Sequence, residues 1–419
     1  GNTNWYDKIY GTGTRTHHNI SATGGSDRVR FFASIGYLDE KGNIDNYGYN
    51  RLNLRSNIDA KLTKSLTFTL GVSGRIEKRD SPRYSANPDD WHNVPQQVIR
   101  ALPYVPATYE YEGKVYNVST PTASSPVAPL ASINESGYSK SNYSYIQSNL
   151  SLKYDAPWLK GLSFKFQGAY DLTYNFSKIL TNPYEVMIMN LPTIESTSLT
   201  YYKGTDASGN SISLSESASR GYTFTTQSSV TYDNKFGKHT IGAMFLAETR
   251  ENKSNALSAT GYGLDFIQLD ELNQITNKTG NGTEKFPTIG GYSGHTRVAG
   301  FVGRVNYNYD DKYYLEASLR YDGSYLFGGM NKRWVTLPGV SAGWRINNES
   351  WFNAPWINNL KLRAGIGKTA TSGVSAFQWR NTMGITKNAV IIGGSSQTMM
   401  YASVLGNPNL SWAQCLNYN

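Results

Sequence analysis

The sequence predicts an all-β chain: a transmembrane antiparallel up-and-down β-barrel of about twelve strands with long external loops. Composition is the first reason. The 419 residues hold 31 Tyr, 9 Trp and 40 Gly, and only 17% are charged; mean hydropathy is −0.49. Tyr, Thr, Ser, Asn and Gly outweigh helix formers, which suits pleated strands and turns. The second reason is period-two alternation of apolar and polar residues over runs of about 9–11, the length a tilted strand needs to cross a bilayer. The third is a strict alternation of short turns with long loops, the asymmetry of membrane barrels. A soluble β-sandwich or propeller is the competing reading, but such sheets seldom string together so many long strands with loops long on one side only. Apolar runs such as FFASIGYL at 31–38 fall far short of the roughly 18 residues of a transmembrane helix.

The stretch 295–322 shows the alternation most plainly. Ala299, Phe301, Val305, Tyr307 and Tyr309 fall on one face, with Arg304, Asn306 and Asn308 on the other. After Asp310-Asp311, Tyr313, Leu315, Ala317, Leu319 and Tyr321 share a face opposite Lys312, Glu316, Ser318, Arg320 and Asp322. Apolar residues are odd-numbered in both runs, so facing residues must have equal parity, and that needs an odd loop. A three-residue turn is expected, with Arg304 opposite or diagonal to Glu316.

The other elements follow in order. Strands are expected over 15–24 and 28–38, joined by a GGSD turn, then over 51–61 and 66–78, joined by LTKS. Residues 79–141 read as a long loop with one short helix in DDWHNVPQQVIRAL, Pro95 near its start. Strands resume over 142–155 and 161–175, and a second long loop spans 176–218. The pair 220–233 and 239–251 comes next, and a third long loop, 252–294, leads to the hairpin already described. Beyond it, strands are expected over 333–346 and 360–366; the tail from Ala370 shows no clear period. Aromatic residues gather near the short turns (Trp158, Tyr232, Tyr307, Tyr309, Tyr313, Trp344, Trp351, Trp356), as an interfacial girdle does.

Charge and motifs exclude several functions. The net charge of +9 comes from Lys and Arg scattered singly, without the cluster that nucleic-acid binding needs. The single Cys415 rules out an internal disulfide framework. The sequence starts without Met, a charged segment or an apolar core, so both ends are expected to be cuts from a longer protein. Gly365-Ile366-Gly367-Lys368-Thr369 resembles the end of a phosphate-binding loop, but position 362 is Leu rather than Gly and the segment ends a strand. His17-His18 point to opposite faces, with no other ligand-rich cluster near in sequence. No Ser/His/Asp or Cys/His set stands out. No enzyme activity, catalytic residue, metal site or cofactor is expected.

Several stretches, in this order, carry a family likeness: NISATGGSDRVRFFASIGYLDEKG, NRLNLRSNIDAKLTKSLTFTLG, GRVNYNYDDKYYLEASLRYDGS, RWVTLPGVSAGWRINNESW, NLKLRAGIGKT and NPNLSW. With them the sequence resembles the SusC/RagA-type TonB-dependent outer-membrane transporters of Bacteroidetes. The likeness covers most strands between 19 and 369, plus 407–412; the long loops match little. It implies a barrel of about twenty-two strands in the full protein. It also implies an N-terminal plug, a segment that touches the TonB complex, and a SusD-like surface lipoprotein over the mouth. The implied activity is import of an oligosaccharide or peptide through the cell outer membrane. On this likeness the 419 residues are one segment of the barrel, without the plug, the TonB-contacting segment and the terminal strands. A passive porin-like or adhesive barrel without energy coupling is the alternative.

Candidate residues follow from chemistry. Arg304, Glu316, Arg320 and Arg363 lie on polar strand faces and are candidates for lining the lumen. Trp91, Tyr104, Tyr109, Tyr111, Tyr262 and Trp379 fall in expected external segments. Their rings can stack on sugars or peptide side chains while their polar tips hydrogen-bond; packing of the loops themselves is an equal use for them.

Overall fold

The computed structural model describes residues 2–83, 93–119, 128–190, 200–205, 211–328, 330–354 and 356–419. Along the chain lie α1 (Trp5–Ile9), β1 (Thr14–Gly25), β2 (Val29–Lys41), β3 (Gly48–Lys61), β4 (Leu66–Pro82), α2 (Val94–Arg100), β5 (Thr108–Tyr111), β6 (Lys114–Ser119) and α3 (Pro129–Asn134). Next come β7 (Gly137–Asp155), β8 (Leu162–Thr181), β9 (Glu185–Asn190), β10 (Thr200–Thr205), β11 (Ser213–Phe236), β12 (His239–Tyr262), β13 (Thr288–Tyr309) and β14 (Tyr313–Ser324). The chain ends with α4 (Met330–Arg333), β15 (Trp334–Arg345), β16 (Lys361–Thr371), β17 (Thr382–Ile392), β18 (Ser395–Val404) and β19 (Ala413–Tyr418).

One 13-stranded sheet holds most of the chain, in the order β1-β2-β3-β4-β7-β8-β11-β12-β13-β14-β15-β16-β19. Every neighbouring pair is antiparallel, so the sheet is an up-and-down wall with unpaired edges at β1 and β19. That is the open, partial barrel expected from the sequence, with one strand more than the alternation revealed. The additional strand is β19, which lies beyond a hairpin of β17 and β18. The GIGKT segment runs inside β16.

The three-residue turn is present. Tyr309 pairs with Tyr313, and Asp310 and Asp311 take positive φ of 51° and 53°. Asp tolerates that region because its short side chain bonds locally. The register sets Arg304 against Ser318 and Asn306 against Glu316, making Arg304 and Glu316 diagonal neighbours.

Strands are longer than the alternation indicated. β11 and β12 are 24 residues each and pair throughout, more than twice what a crossing takes. Their polar upper halves, rich in Ser, Thr and Asn, hide the period in sequence although the ladder continues. The long loops shrink accordingly, and they have structure of their own. β5, β6, β9 and β10 form a second sheet, ordered β10-β9-β6-β5, with β6 parallel to β9. The helix expected near Pro95 is α2, with Pro in its first turn.

The buried core sits in these loops. Trp5, Ile9, Ile44, Val94, Val98, Val105, Tyr116, Val118, Ile133, Met187 and Met189 pack into one cluster. The large sheet instead leaves its apolar face open: Phe31, Ile35, Leu54, Phe166, Phe245, Leu315 and Leu319 are all exposed, Leu319 at 51%. A continuous apolar face of this size in water is an aggregation surface; against lipid it is an ordinary barrel exterior.

The short-turn end carries the girdle. Tyr154 and Trp158 are 5.9 Å apart, Tyr309 and Tyr313 6.4 Å, and Trp344 and Trp351 6.2 Å. Trp351 and Trp356 are 63% and 81% exposed. Glu349, in the turn between β15 and β16, organises this end. Its carboxylate accepts from Tyr313 Oη at 2.6 Å, Trp344 Nε1 at 2.9 Å and Lys312 Nζ at 3.3 Å. The Tyr313 hydroxyl, then the Trp344 indole, holds the carboxyl below its ordinary range.

Two outcomes follow. In the full-length protein, Leu319→Arg near the midplane should cost about 2–4 kcal/mol and Ser318→Arg, on the other face, little; denaturant unfolding in lipid vesicles measures both, and equal costs would mean a sheet buried on both sides. A depressed carboxyl contributes stability above its unfolded value and loses it as pH falls through the folded value. The destabilisation caused by Glu349→Gln should therefore be full at pH 7 and shrink as pH drops below about 4.3. Unfolding followed across pH 3–7 checks it.

Candidate solute-facing wall and loop layer

Alternation along each strand builds the polar face as directly as the apolar one. On β13 and β14 it carries Arg304, Asn306, Glu316, Ser318, Arg320 and Asp322. Arg304 Nη2 donates to Glu316 Oε2 at 2.7 Å, and its Nε donates to Asn306 Oδ1 at 3.3 Å. Arg320 Nε donates to Asp322 Oδ2 at 2.5 Å. Arg363 enters from β16, two strands beyond β14.

The structure brings three of the four wall candidates together. Arg304, Glu316 and Arg363 line one concavity of about 500 Å³ on the polar face, with Asp233, Tyr314 and Lys361. Arg320 lies further along β14 and is not among its lining residues. Lys361 Nζ sits 3.6 Å from the Tyr314 ring centroid. Guanidinium and ammonium groups beside carboxylates, a phenol and exposed backbone form a surface of mixed donors and acceptors. Such a surface can exchange hydrogen bonds with hydroxyls or amides without gripping one group.

Sequence reasoning passed over a second polar cluster on the same face of β3, β4 and β7. Arg79 lies over the Tyr49 ring at 5.6 Å and Arg75 over Tyr143 at 5.7 Å; Arg75 also pairs with Glu77 at 2.9 Å. The alternating arginines at 51 and 55 were the available signal. Without the β4–β7 register nothing placed tyrosines beside the neighbouring arginines of β4.

The loop aromatics separate by environment. Tyr109 stacks on Tyr201 at 4.0 Å, against the loop core. Tyr104 and Tyr111 are 47% and 39% exposed, with Lys203 Nζ 5.5 Å over Tyr111. Tyr262, the last residue of β12, lies under Lys285 Nζ at 3.8 Å. Trp379 is half-buried, with its ring against Gly328 and Arg380 5.5 Å from its centroid. Trp91 lies outside the described residues.

This architecture has known counterparts. The chain is 25% identical to the TonB-dependent receptor P26 of Formosa agariphila over 98% of its own length and 38% of that protein's. It is 22% identical to the TonB-dependent receptor SusC of Bacteroides thetaiotaomicron over 89% of this chain and 35% of that protein. The structure of the RagAB peptide transporter superposes over the whole chain, with TM-score 0.75, 21% identity and 43% of that chain covered. The chain is similar to TonB-dependent receptors and shares the fold of the RagAB transporter's barrel. The chain spans 38% of the P26 receptor's length, and its strands have the fold of part of the RagAB barrel. No family profile matches it.

The Arg304–Glu316 pair is open, with side chains 46% and 40% exposed. A double-mutant cycle of Arg304→Ala and Glu316→Ala in the full-length protein should give about 0.2–1 kcal/mol of coupling. A coupling of several kcal/mol would mean that the wall is dry and buried.

Proposed function

We propose that the full-length protein imports a large solute, an oligosaccharide or a peptide, across the outer membrane. Energy comes through the TonB complex, and a SusD-like surface lipoprotein covers the external mouth. One observation carries the reading. An antiparallel wall with a polar face, a lipid-compatible apolar face and long loops on one side matches TonB-dependent receptors over nearly its entire length. The 38% coverage of those receptors leaves room for the plug and TonB-contacting segment that coupling requires.

In this reading the 419 residues are one segment of a single barrel. Arg304, Glu316, Arg320 and Arg363 line the lumen. Tyr104, Tyr111, Tyr262 and Trp379 offer rings to the solute at the mouth, while Tyr109 secures the loop layer. A mixed wall suits a large solute, because many weak polar contacts let it slide where a few strong ones would hold it.

Two measurements test this. Cysteines replacing Asn281 or Lys285 in intact cells should react with an impermeant thiol reagent, and cysteines replacing Lys64 or Lys160 should not; the reverse would invert the orientation. Uptake of fluorescent peptides and oligosaccharides should depend on the full-length protein and stop when TonB is deleted. Uptake that continues without TonB would make it a passive pore.

A further inference from the structure

Towards the long loops, the outward face carries two groups of rings. Tyr170 lies 5.4 Å from Tyr222 and 6.4 Å from Phe224. Trp334 stacks between Phe301 at 6.2 Å and Tyr321 at 4.8 Å. Level with the Tyr222 and Phe224 rings, and one row beyond them at Arg220, the same face turns cationic. The register aligns Phe224 with Glu251 and Arg297, then Tyr222 with Lys253 and His295, then Arg220 with Asn255 and Ser293. Arg220, Lys253, His295 and Arg297 therefore form one patch across β11, β12 and β13, all exposed.

Glu251 is the one carboxylate in these three aligned rows. Its Oε1 lies 2.6 Å from His295 Nε2 and accepts from Arg297 Nη2 at 3.1 Å, so it orients two of the basic groups. Arg220 and Lys253 make no ion pair among the described residues. Arg220, Lys253 and Arg297 set against Glu251 leave the patch positive even with His295 neutral. Asn255 Nδ2 donates to Ser293 Oγ at 2.7 Å beside them. Arg297 and Lys253 stand further from the turn ends at Tyr309 and His239 than the roughly 9–11 residues of a crossing. They lie above the hydrocarbon, where amphipathic rings mark the headgroup level.

We propose that this patch binds the phosphates of an anionic glycolipid in the outer leaflet, with its acyl chains along the Phe301–Trp334–Tyr321 row. Arginine forks match phosphate oxygens in pairs, and a lysine adds a point charge. The patch is continuous with the lipid-facing band and on the same side of the wall, so its neighbour is the bilayer itself. An acidic protein would have to lie in the plane of the membrane to reach it. The proposal rests on the external placement of the long loops, which cysteine labelling tests by itself.

The experiment uses the full-length protein, delipidated in detergent and incubated with lipopolysaccharide in its bisphosphorylated or enzymatically dephosphorylated form. Retained lipid is read by native mass spectrometry. The wild type should retain the phosphorylated form about tenfold or more over the dephosphorylated one. The combined variant Arg220→Gln, Lys253→Gln, Arg297→Gln should lose that preference, whereas Arg55→Gln, on the polar face, should keep it. Because Arg297 touches Glu251, the pair Arg220→Gln and Lys253→Gln, which breaks no ion pair, is run alongside and should show a several-fold loss. Equal retention of the two lipid forms by the wild type would overturn the proposal, as would unchanged preference in both patch variants.

Discussion

The bilayer's refusal to hydrogen-bond the backbone governs this chain. Within hydrocarbon each unpaired N–H or C=O costs several kcal/mol, so a strand can cross only with a partner on both sides. Eleven of the thirteen strands of the large sheet have two partners; β1 and β19 each have one. The same ladder fixes the side chains. Once β13 pairs with β14 in the register Tyr309 to Tyr313, Phe301, Leu315 and Leu319 face one way and Arg304, Glu316 and Arg320 the other. Charged wall and apolar exterior are thus two readings of one hydrogen-bond pattern.

The ladder also explains where the core is. A sheet bathed by lipid on one face needs no buried core beneath it, and the large sheet has little. The loop layer stands in water and must bury apolar surface to hold a shape. It does so with Trp5, Val94, Val98, Val118, Ile133, Met187 and Met189, drawn from segments far apart in sequence. Buried hydrogen bonds tie the same layer together. Gln97 and Ser132 join α2 to α3, and the Tyr184 hydroxyl reaches Ser132 at 2.8 Å. Strands that outrun the membrane, such as β11 and β12, lift this layer clear of the surface.

What the sequence made legible divides along that line. Where one face meets lipid and the other meets polar groups, the period of two is strong, and the hairpin of Arg304 and Glu316 could be read to its turn length. Above the membrane both faces meet water, and the alternation fades in runs such as Ser213–Ser219, though the pairing persists. Strand ends were therefore placed too early. β17 to β19 escaped for a related reason: TMGITKNAVII loses its register between Thr386 and Val390, and AQCLNY is only six residues. The Arg304, Glu316 and Arg363 grouping was partly visible, since parity placed the first two. Arg363 joins them only through the β15 register, which no local pattern encodes.

The wall's ion pairs follow from the same geometry. Arg75–Glu77, Lys153–Asp155 and Arg320–Asp322 are each two residues apart on one strand, and Arg304–Glu316 is a diagonal between neighbours. Pairs this exposed contribute little to stability. Their effect is on the field: each cancels a charge locally and leaves short dipoles rather than a uniformly charged tube. Arg363 and Lys361 carry no ion pair among the described residues, so the concavity they share with Arg304 and Glu316 keeps a positive bias. Under the proposed transport reading, such a wall of paired charges with few net-positive spots would hold a large polar solute weakly at many points, the condition for its release.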